Sequence, residues 1–208
     1  AKAVEGIDDI AIAADSEEVV KIAERYGIRA ILTDINHQSG TDRINEAAQK
    51  LLLKKDEIVI NVQADEPFME KETVLALRKR VEELKKTNEW VMASCYKKIA
   101  KDDALDPNLV KVITDENQNA LYFSRSLIPY DRESGGAQYF GHLGLYGFTF
   151  GSLQTFCGFQ TAPLENIEKL EQLRALYHGK TISMVEVESK SFGIDTREDL
   201  QRALRVFG

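Results

Sequence analysis

Short β-rich runs alternate with stretches of helical periodicity along most of the chain. In the first helical stretch, apolar residues recur at i, i+3, i+4 and i+7, namely Val19, Ile22, Ala23 and Tyr26. Residues 58–62 form a β-branched run of the kind that is buried on both faces of a sheet. This alternation is typical of βαβ units and predicts an α/β fold with a mostly parallel sheet flanked by helices.

The middle of the chain has a different pattern. Strands are predicted at 90–96, 109–114, 120–123 and 139–150, with few residues left between them for helices. We therefore expect an antiparallel sub-region over roughly 90–150. Beyond it, a helix over 163–178, a strand over 181–187 and a final helix are predicted. A length of 208 residues suits a single domain spanning 1–208.

Composition excludes several classes of protein. The net charge of −7 argues against nucleic acid as the main partner, because phosphate contacts need a basic face. The chain shows no apolar run long enough for a membrane span and no signal-peptide pattern, so no membrane partner is expected. Cys95 and Cys157 lie far apart and outside any CxxC spacing, which favours reduced thiols in a cytoplasmic protein over a disulfide or zinc site.

Two carboxylates follow predicted strands. Ligands of open α/β sheets bind beyond the carboxyl ends of the strands. Asp65 comes directly after the buried run 58–62, and Asp195 follows the last strand. Either residue has an alternative interpretation, since an aspartate often only begins the next helix. Two carboxylates on neighbouring strand ends would converge on one hard cation such as Mg²⁺, and this pairing favours the metal site.

Other polar residues have both a binding and a structural interpretation. Residues 37–41 open a helix, so their amides could bind a carbonyl, a base edge or an anion, or form only a βα turn. Arg125 suits a carboxylate or phosphate clamp, or a surface ion pair. His142 and Tyr146 share one strand face with Gly144 between them, which favours a pocket for a polyhydroxy ligand over a structural histidine.

The pair Glu171–Gln172 lies within the predicted helix 163–178. Its pattern is typical of a solvated helix face. Neither a GxGxxG fingerprint nor a GxxxxGK loop occurs in the chain, so neither of these phosphate-binding motifs is present.

Seven segments occur in order over nearly the whole chain: HQSGTDR (37–43), NVQADEP (61–67), NLVKV (108–112), ALYFSR (120–125), GHLGLY (141–146), LEQLR (170–174) and GIDT (193–196). Together they resemble the 3-deoxy-manno-octulosonate (Kdo) cytidylyltransferase family. The resemblance implies a nucleotidyltransferase-type, Rossmann-like fold whose antiparallel insertion serves sugar binding and dimerisation. It also implies a homodimer that uses Mg²⁺ to convert CTP and Kdo into CMP-Kdo and pyrophosphate, for lipopolysaccharide synthesis.

The same resemblance implies roles for individual residues. The catalytic metal ligands would be Asp65 and Asp195. The residues facing the nucleotide would be Ser39, Gly40, Thr41, Arg43 and Gln63. The residues binding the sugar would be Arg125, His142, Tyr146, Glu171 and Gln172, with Arg125 on the Kdo carboxylate. The alternatives are a cytidylyltransferase for another acidic sugar (8-amino-Kdo or a nonulosonate) and an inactive nucleotide-sugar-binding protein.

Two departures from the family pattern are visible. The family begins with a strand and a basic, glycine-containing loop that grips the triphosphate, and the matching position would precede Ala1. A protein without that loop is expected to have almost no activity. Ala64 stands where the family usually carries glycine, and we expect this extra methyl group to be tolerated.

Overall fold

The computed structural model describes residues 4, 6–37, 39–87, 89–194 and 196–207. The strands in this part of the chain are β1 (Ala11–Ala14), β2 (Arg29–Leu32), β3 (Ile58–Val62), β4 (Trp90–Ile99), β5 (Lys111–Thr114), β6 (Ala120–Ser124), β7 (Tyr139–Thr149) and β8 (Thr181–Glu186). The helices are α1 (Glu17–Arg25), α2 (Gly40–Lys50), α3 (Lys71–Leu84), α4 (Lys101–Ala104), α5 (Phe150–Cys157), α6 (Pro163–Glu168), α7 (Leu173–Tyr177) and α8 (Arg197–Phe207). Of these helices, none has the length and apolar character that a membrane span requires.

The strands form a mixed arrangement. β1 and β2 make a parallel pair, and a larger sheet has the order β6-β5-β7-β4-β8, with β3 joined to β7. The α/β class predicted from the sequence is confirmed. The larger sheet is mixed because the long strand β7 runs antiparallel to β3, β4 and β5, whereas β4 and β8 are parallel. The strands that pair antiparallel around β7 lie largely within the predicted sub-region 90–150.

Both faces of the larger sheet are covered. Along β4, Met92 packs in a cluster with Phe148 and Phe156, whereas the next residue, Ala93, packs in a second cluster with Leu77. Successive strand side chains point to opposite faces, so one strand serves both clusters. The larger sheet is therefore held between α5 on one face and α3 on the other.

One glycine sets the distance between α3 and the sheet. A Cβ atom added to Gly147 would lie 2.6 Å from Val81 Cγ2 and 3.0 Å from Leu77 Cγ, and both of those side chains are fully buried. Gly147→Ala is therefore expected to lower the free energy of unfolding by about 1–3 kcal/mol through overpacking. Urea denaturation measures this, with Gly135→Ala as the control because its nearest neighbour would be 3.9 Å away. Equal stability of the two variants would contradict this packing.

The helix predicted over 163–178 is interrupted. α6 ends at Glu168, the next residue, Lys169, has a left-handed φ of 54°, and α7 begins only at Leu173. Glu171 and Gln172 lie in the turn between the two helices, and Gln172 is buried. The interpretation of this pair as a solvated helix face is therefore wrong. The break carries no glycine or proline to signal it, and the apolar spacing continues through it.

A groove of about 480 Å³ lies between the β1–β2 pair and the larger sheet. Ala11 and Ala13 of β1 line one side, and Ile58 and Ile60 of β3 line the other. Within the described ranges, no strand ladder joins β1 to β3. Helix α2 contacts β1, β2 and β3, so it lies against both sheets.

Candidate active site

A polar cavity of about 310 Å³ lies where β3 ends. Its walls come from the loop after β3, the middle of β7, the turn between α6 and α7, and the segment after β8. It gathers seven of the residues selected from the sequence, namely Gln63, Asp65, Arg125, His142, Tyr146, Glu171 and Gln172. These residues are far apart in the chain, and the fold brings them to one place.

The loop after β3 is fastened to β7 through Glu66. The Gly144 amide donates to Glu66 Oε1 at 3.3 Å, and Ser191 Oγ donates to Glu66 Oε2 at 2.6 Å. A Cβ atom on Gly144 would lie 3.2 Å from Glu66 Cγ, so glycine permits this close approach. Burial raises the pKa of Glu66. The contacts of Glu66 join regions that no local sequence pattern connects.

Asp65 lies on the cavity wall, and its carbonyl accepts a hydrogen bond of 2.8 Å from the Ile194 amide. The loop carrying Asp65 and the segment ending at Ile194 are therefore in contact. Asp195, the predicted second ligand, lies outside the described residues. Across the part of the chain that the structure describes, no three acidic, histidine or cysteine side chains form a metal-binding group.

The donor set around Asp65 fits Mg²⁺ rather than a metal that needs a full protein cage. Mg²⁺ keeps several waters and is typically held by one or two carboxylates together with substrate phosphates. One rigid carboxylate at the edge of a polar cavity satisfies the protein's share of that coordination. A catalytic zinc site would need about three protein ligands.

His142 is a neutral hydrogen-bonding group. Ser94 Oγ donates to the Leu145 carbonyl at 2.7 Å, so its single proton is committed there. His142 Nε2, 2.8 Å from the same oxygen, must then be the donor of that contact, which leaves Nδ1 as an acceptor. Burial lowers the pKa of His142 to about 3. The ring can therefore accept a hydrogen bond from a ligand but supplies no positive charge at neutral pH.

This buried histidine makes stability depend on pH. Its pKa is about 3 when folded and about 6.5 when unfolded. Between these values the unfolded chain binds the extra proton, so stability falls as pH drops, by up to about 1.4 kcal/mol per pH unit. Urea denaturation at several pH values should show this slope in the wild type and lose it in His142→Gln.

His178→Gln, at an exposed histidine, is the control and should retain the slope. Burial raises the pKa of Glu66 and Glu171. These two carboxyl groups therefore raise the free energy of unfolding as the pH falls, which is opposite to the effect of the histidine. The difference between the wild type and His142→Gln isolates the histidine. An identical slope in both would contradict the buried, neutral ring.

Hydrogen bonds with Glu168 of α6 and with Gln172, directly before α7, hold two other predicted sugar-binding residues. Tyr146 Oη donates to Gln172 Oε1 at 3.3 Å, and both residues are buried. Arg125 Nε donates to the Glu168 carbonyl at 2.7 Å, and Nη1 donates to the Pro107 carbonyl at 3.0 Å. These acceptors are neutral, so they orient the guanidinium without cancelling its charge. Arg125 is thus suited to an anionic ligand in the cavity.

The predicted nucleotide-binding residues contact the predicted sugar-binding residues at Ser39. This residue caps α2, and its Oγ accepts a hydrogen bond from the Asp42 amide. The same Oγ lies 2.8 Å from Asp42 Oδ2 and 2.8 Å from Glu171 Oε1. A hydroxyl has one proton, so both contacts are hydrogen bonds only if one carboxyl is protonated. Burial raises the pKa of Glu171.

Close backbone approach joins the other predicted nucleotide-binding residues. A Cβ atom on Gly40 would lie 3.0 Å from Gln63 Oε1, so the start of α2 sits directly beside the end of β3. Thr41 is buried, and its side chain also hydrogen-bonds to Glu171. Gly40 therefore lies beside Gln63, and Ser39 and Thr41 both contact Glu171.

Arg43 is engaged differently. Its Nη2 lies 2.8 Å from Asp15 Oδ2, and its Nη1 donates to Thr33 Oγ1 at 3.0 Å. These contacts link α2 to the ends of β1 and β2. The structure gives Arg43 a connecting role, and its contact with a nucleotide stays a prediction.

Comparison with known proteins agrees with this arrangement. A family model described as cytidylyltransferase matches residues 1–182. A 3-deoxy-manno-octulosonate cytidylyltransferase of Wolinella succinogenes is 53% identical over 100% of this chain and 87% of its own length. One of Nitratiruptor sp. is 55% identical over 94% of this chain and 82% of its own length.

Solved structures agree as well. A CMP:2-keto-3-deoxy-manno-octonic acid synthetase complexed with CTP has a TM-score of 0.88 and 33% identity, covering 99% of this chain and 83% of that one. A 4-diphosphocytidyl-2C-methyl-D-erythritol synthase, with a TM-score of 0.63 and 11% identity over 100% of this chain and 84% of that one, shares the fold alone. The chain therefore belongs to the cytidylyltransferase family and, within it, to the 3-deoxy-manno-octulosonate cytidylyltransferases.

Proposed function

We propose that this enzyme transfers CMP from CTP to the anomeric hydroxyl of Kdo, giving CMP-Kdo and pyrophosphate for lipopolysaccharide biosynthesis. The observation that carries the proposal is the cavity in which Gln63 and Asp65 lie with the predicted sugar-binding residues, one of which, Glu171, also contacts Ser39 at the start of α2. Its relatives bear the name of this reaction. A substrate pair that must react with each other needs two adjoining subsites of this kind.

The sugar subsite suits a polyhydroxy acid. Arg125 offers a guanidinium to the Kdo carboxylate, in the bidentate geometry that guanidinium groups favour. His142 Nδ1 accepts a hydrogen bond from a sugar hydroxyl. The hydrogen-bonded pair of Tyr146 and Gln172 lines the same cavity. A guanidinium beside neutral hydrogen-bonding groups suits a ligand that carries both a carboxylate and hydroxyls.

In the reaction, the sugar hydroxyl oxygen forms a bond to the α-phosphorus of CTP as the bond from that phosphorus to the β-phosphate oxygen breaks. The hydroxyl proton is lost and pyrophosphate leaves in line. The protein's work is positioning and charge neutralisation more than covalent chemistry. Asp65 and Asp195 would hold Mg²⁺, which when bound screens phosphate charge and lowers the pKa of the hydroxyl.

We further propose that the protein acts in the cytoplasm as a homodimer. Large apolar side chains stay exposed on and beside the antiparallel sub-region: Leu121 is 57% exposed, Tyr130 83% and Ile167 77%. β6 and α6 are joined by a hydrogen bond from Ser124 to Glu168, so Leu121 and Ile167 lie on neighbouring elements. A self-complementary contact through this region would cover them. Light scattering on purified protein measures the assembly.

The test is pyrophosphate release by protein expressed from its full coding sequence, with CTP, Mg²⁺ and a panel of sugar acids. Release with Kdo, and much less with 8-amino-Kdo or a nonulosonate, is the expected result. Preference for another acid would support the alternative cytidylyltransferase. CTP binding without release from any acid would support the inactive binding protein and would contradict the proposal.

A further inference from the structure

Lys97 lies on β4 beside the cavity, and its ammonium group faces backbone oxygens of a distant segment. Lys97 Nζ donates to the Ser191 carbonyl at 2.5 Å and to the Ser189 carbonyl at 3.3 Å. These carbonyls belong to the segment that follows β8. An ammonium has three donors and can hold a strand-like segment at more than one point. Hydrogen bonds from a charged donor are also stronger than neutral ones.

The segment that Lys97 holds is in turn bound to the loop after β3. Ser191 Oγ donates to Glu66, and Ser189 Oγ donates to Glu70 at 2.6 Å. The Lys190 amide donates to the same Glu70 carboxylate at 2.7 Å. Together with the bond from the Ile194 amide to the Asp65 carbonyl, these contacts join the two segments at several points.

Charge gives Lys97 a second effect on the same loop. Glu66 and Glu70 interact electrostatically with its ammonium, and Asp65 adds another negative charge beside Glu66. Three carboxylates on one short loop repel one another when no cation lies between them. A cation inserted from β4 reduces that repulsion while the loop stays close to β7.

We propose that Lys97 is a positioning residue that holds residues 189–194 against the loop bearing Asp65, and so sets the geometry in which the cavity binds its divalent cation and sugar acid. This inference rests on the proposed function. Lys97 acts on the reacting groups through the backbone of the segment and through Glu66, not by contact with the phosphates. The effect of losing such a supporting group on metal affinity or activity is typically about 10- to 100-fold.

The experiment compares Lys97→Met, Lys97→Arg and Lys98→Met in full-length protein. Lys98 is the adjacent control, because its side chain is 65% exposed and pairs with Glu186 at the surface. Mn²⁺ binding in the presence of CTP is measured by EPR, alongside kcat and KM for pyrophosphate release. Lys97→Met is expected to weaken Mn²⁺ binding by about tenfold or more, with Lys97→Arg recovering most of it and Lys98→Met unchanged.

Ser191→Ala provides a second variant should Lys97→Met fail to fold. It removes the hydroxyl between the held segment and Glu66, and it should weaken Mn²⁺ binding in the same direction. Wild-type Mn²⁺ affinity in Lys97→Met, or in Ser191→Ala when the methionine variant is unfolded, would overturn the proposal. If the wild-type protein binds Mn²⁺ with CTP but releases no pyrophosphate, the proposed function is contradicted. The role of Lys97 is then still decided by comparing Mn²⁺ binding of the variants with that of the wild type.

Discussion

Asp65→Asn should lower kcat by about two to three orders of magnitude, the scale on which loss of one preorganised charge contact acts. The amide keeps the size and shape of the carboxylate, so the loop and its contact with Ile194 are retained. What is lost is the negative charge that would bind Mg²⁺ beside the α-phosphate. Pyrophosphate release at saturating CTP and Kdo measures the effect, and thermal unfolding checks the fold.

Asp102→Asn is the matched control, because Asp102 is exposed on α4 and does not line the cavity. It should retain wild-type turnover. If Asp65→Asn kept half of the wild-type rate or more while binding Mn²⁺ normally, the metal assignment would be wrong. A raised Mg²⁺ requirement in Asp65→Asn would strengthen it.

Arg125→Lys is expected to raise KM for Kdo by about 10- to 100-fold, because a hydrogen bond to a charged group is worth about 1.5–3 kcal/mol. Lysine keeps the positive charge but loses the planar fork that grips a carboxylate at two points. It also loses the bonds to the Glu168 and Pro107 carbonyls that orient the guanidinium. The affinity for CTP should not change.

Initial rates at varied Kdo and at varied CTP separate these two effects. Arg132→Lys, at an exposed position in the loop after β6, serves as the control. An unchanged KM for Kdo in Arg125→Lys would show that another group binds the carboxylate. A parallel rise in KM for CTP would place Arg125 on the nucleotide side of the cavity.

The fold was predictable where a local pattern decides the structure. The β-branched run predicted β3 with the bounds 58–62 that the structure shows, and the helical spacing of apolar residues predicted α1. The place of β7 within the sheet was not predictable, because the choice of partners for a strand depends on contacts distant in the sequence. The break at Lys169 was missed for a related reason, since tertiary contacts there override a continuous helical pattern.

The site was predictable to the extent that strand ends and multi-residue motifs marked it. Asp65 follows a strand end, and the resemblance supplied its neighbours in the cavity. Glu66, Lys97 and Ser191 were not recognised, because each acts through a partner elsewhere in the chain. Ser191 and Glu66 are 125 positions apart, and no local spacing reports a hydrogen bond of that kind.

β1 and β2 pair with each other, and among the described strands neither pairs with a strand of the larger sheet. Arg43 lies on α2, and its guanidinium contacts Asp15 and Thr33, which follow β1 and β2. This guanidinium therefore connects the start of α2, where Ser39 and Thr41 lie, to the ends of the two strands of the small sheet.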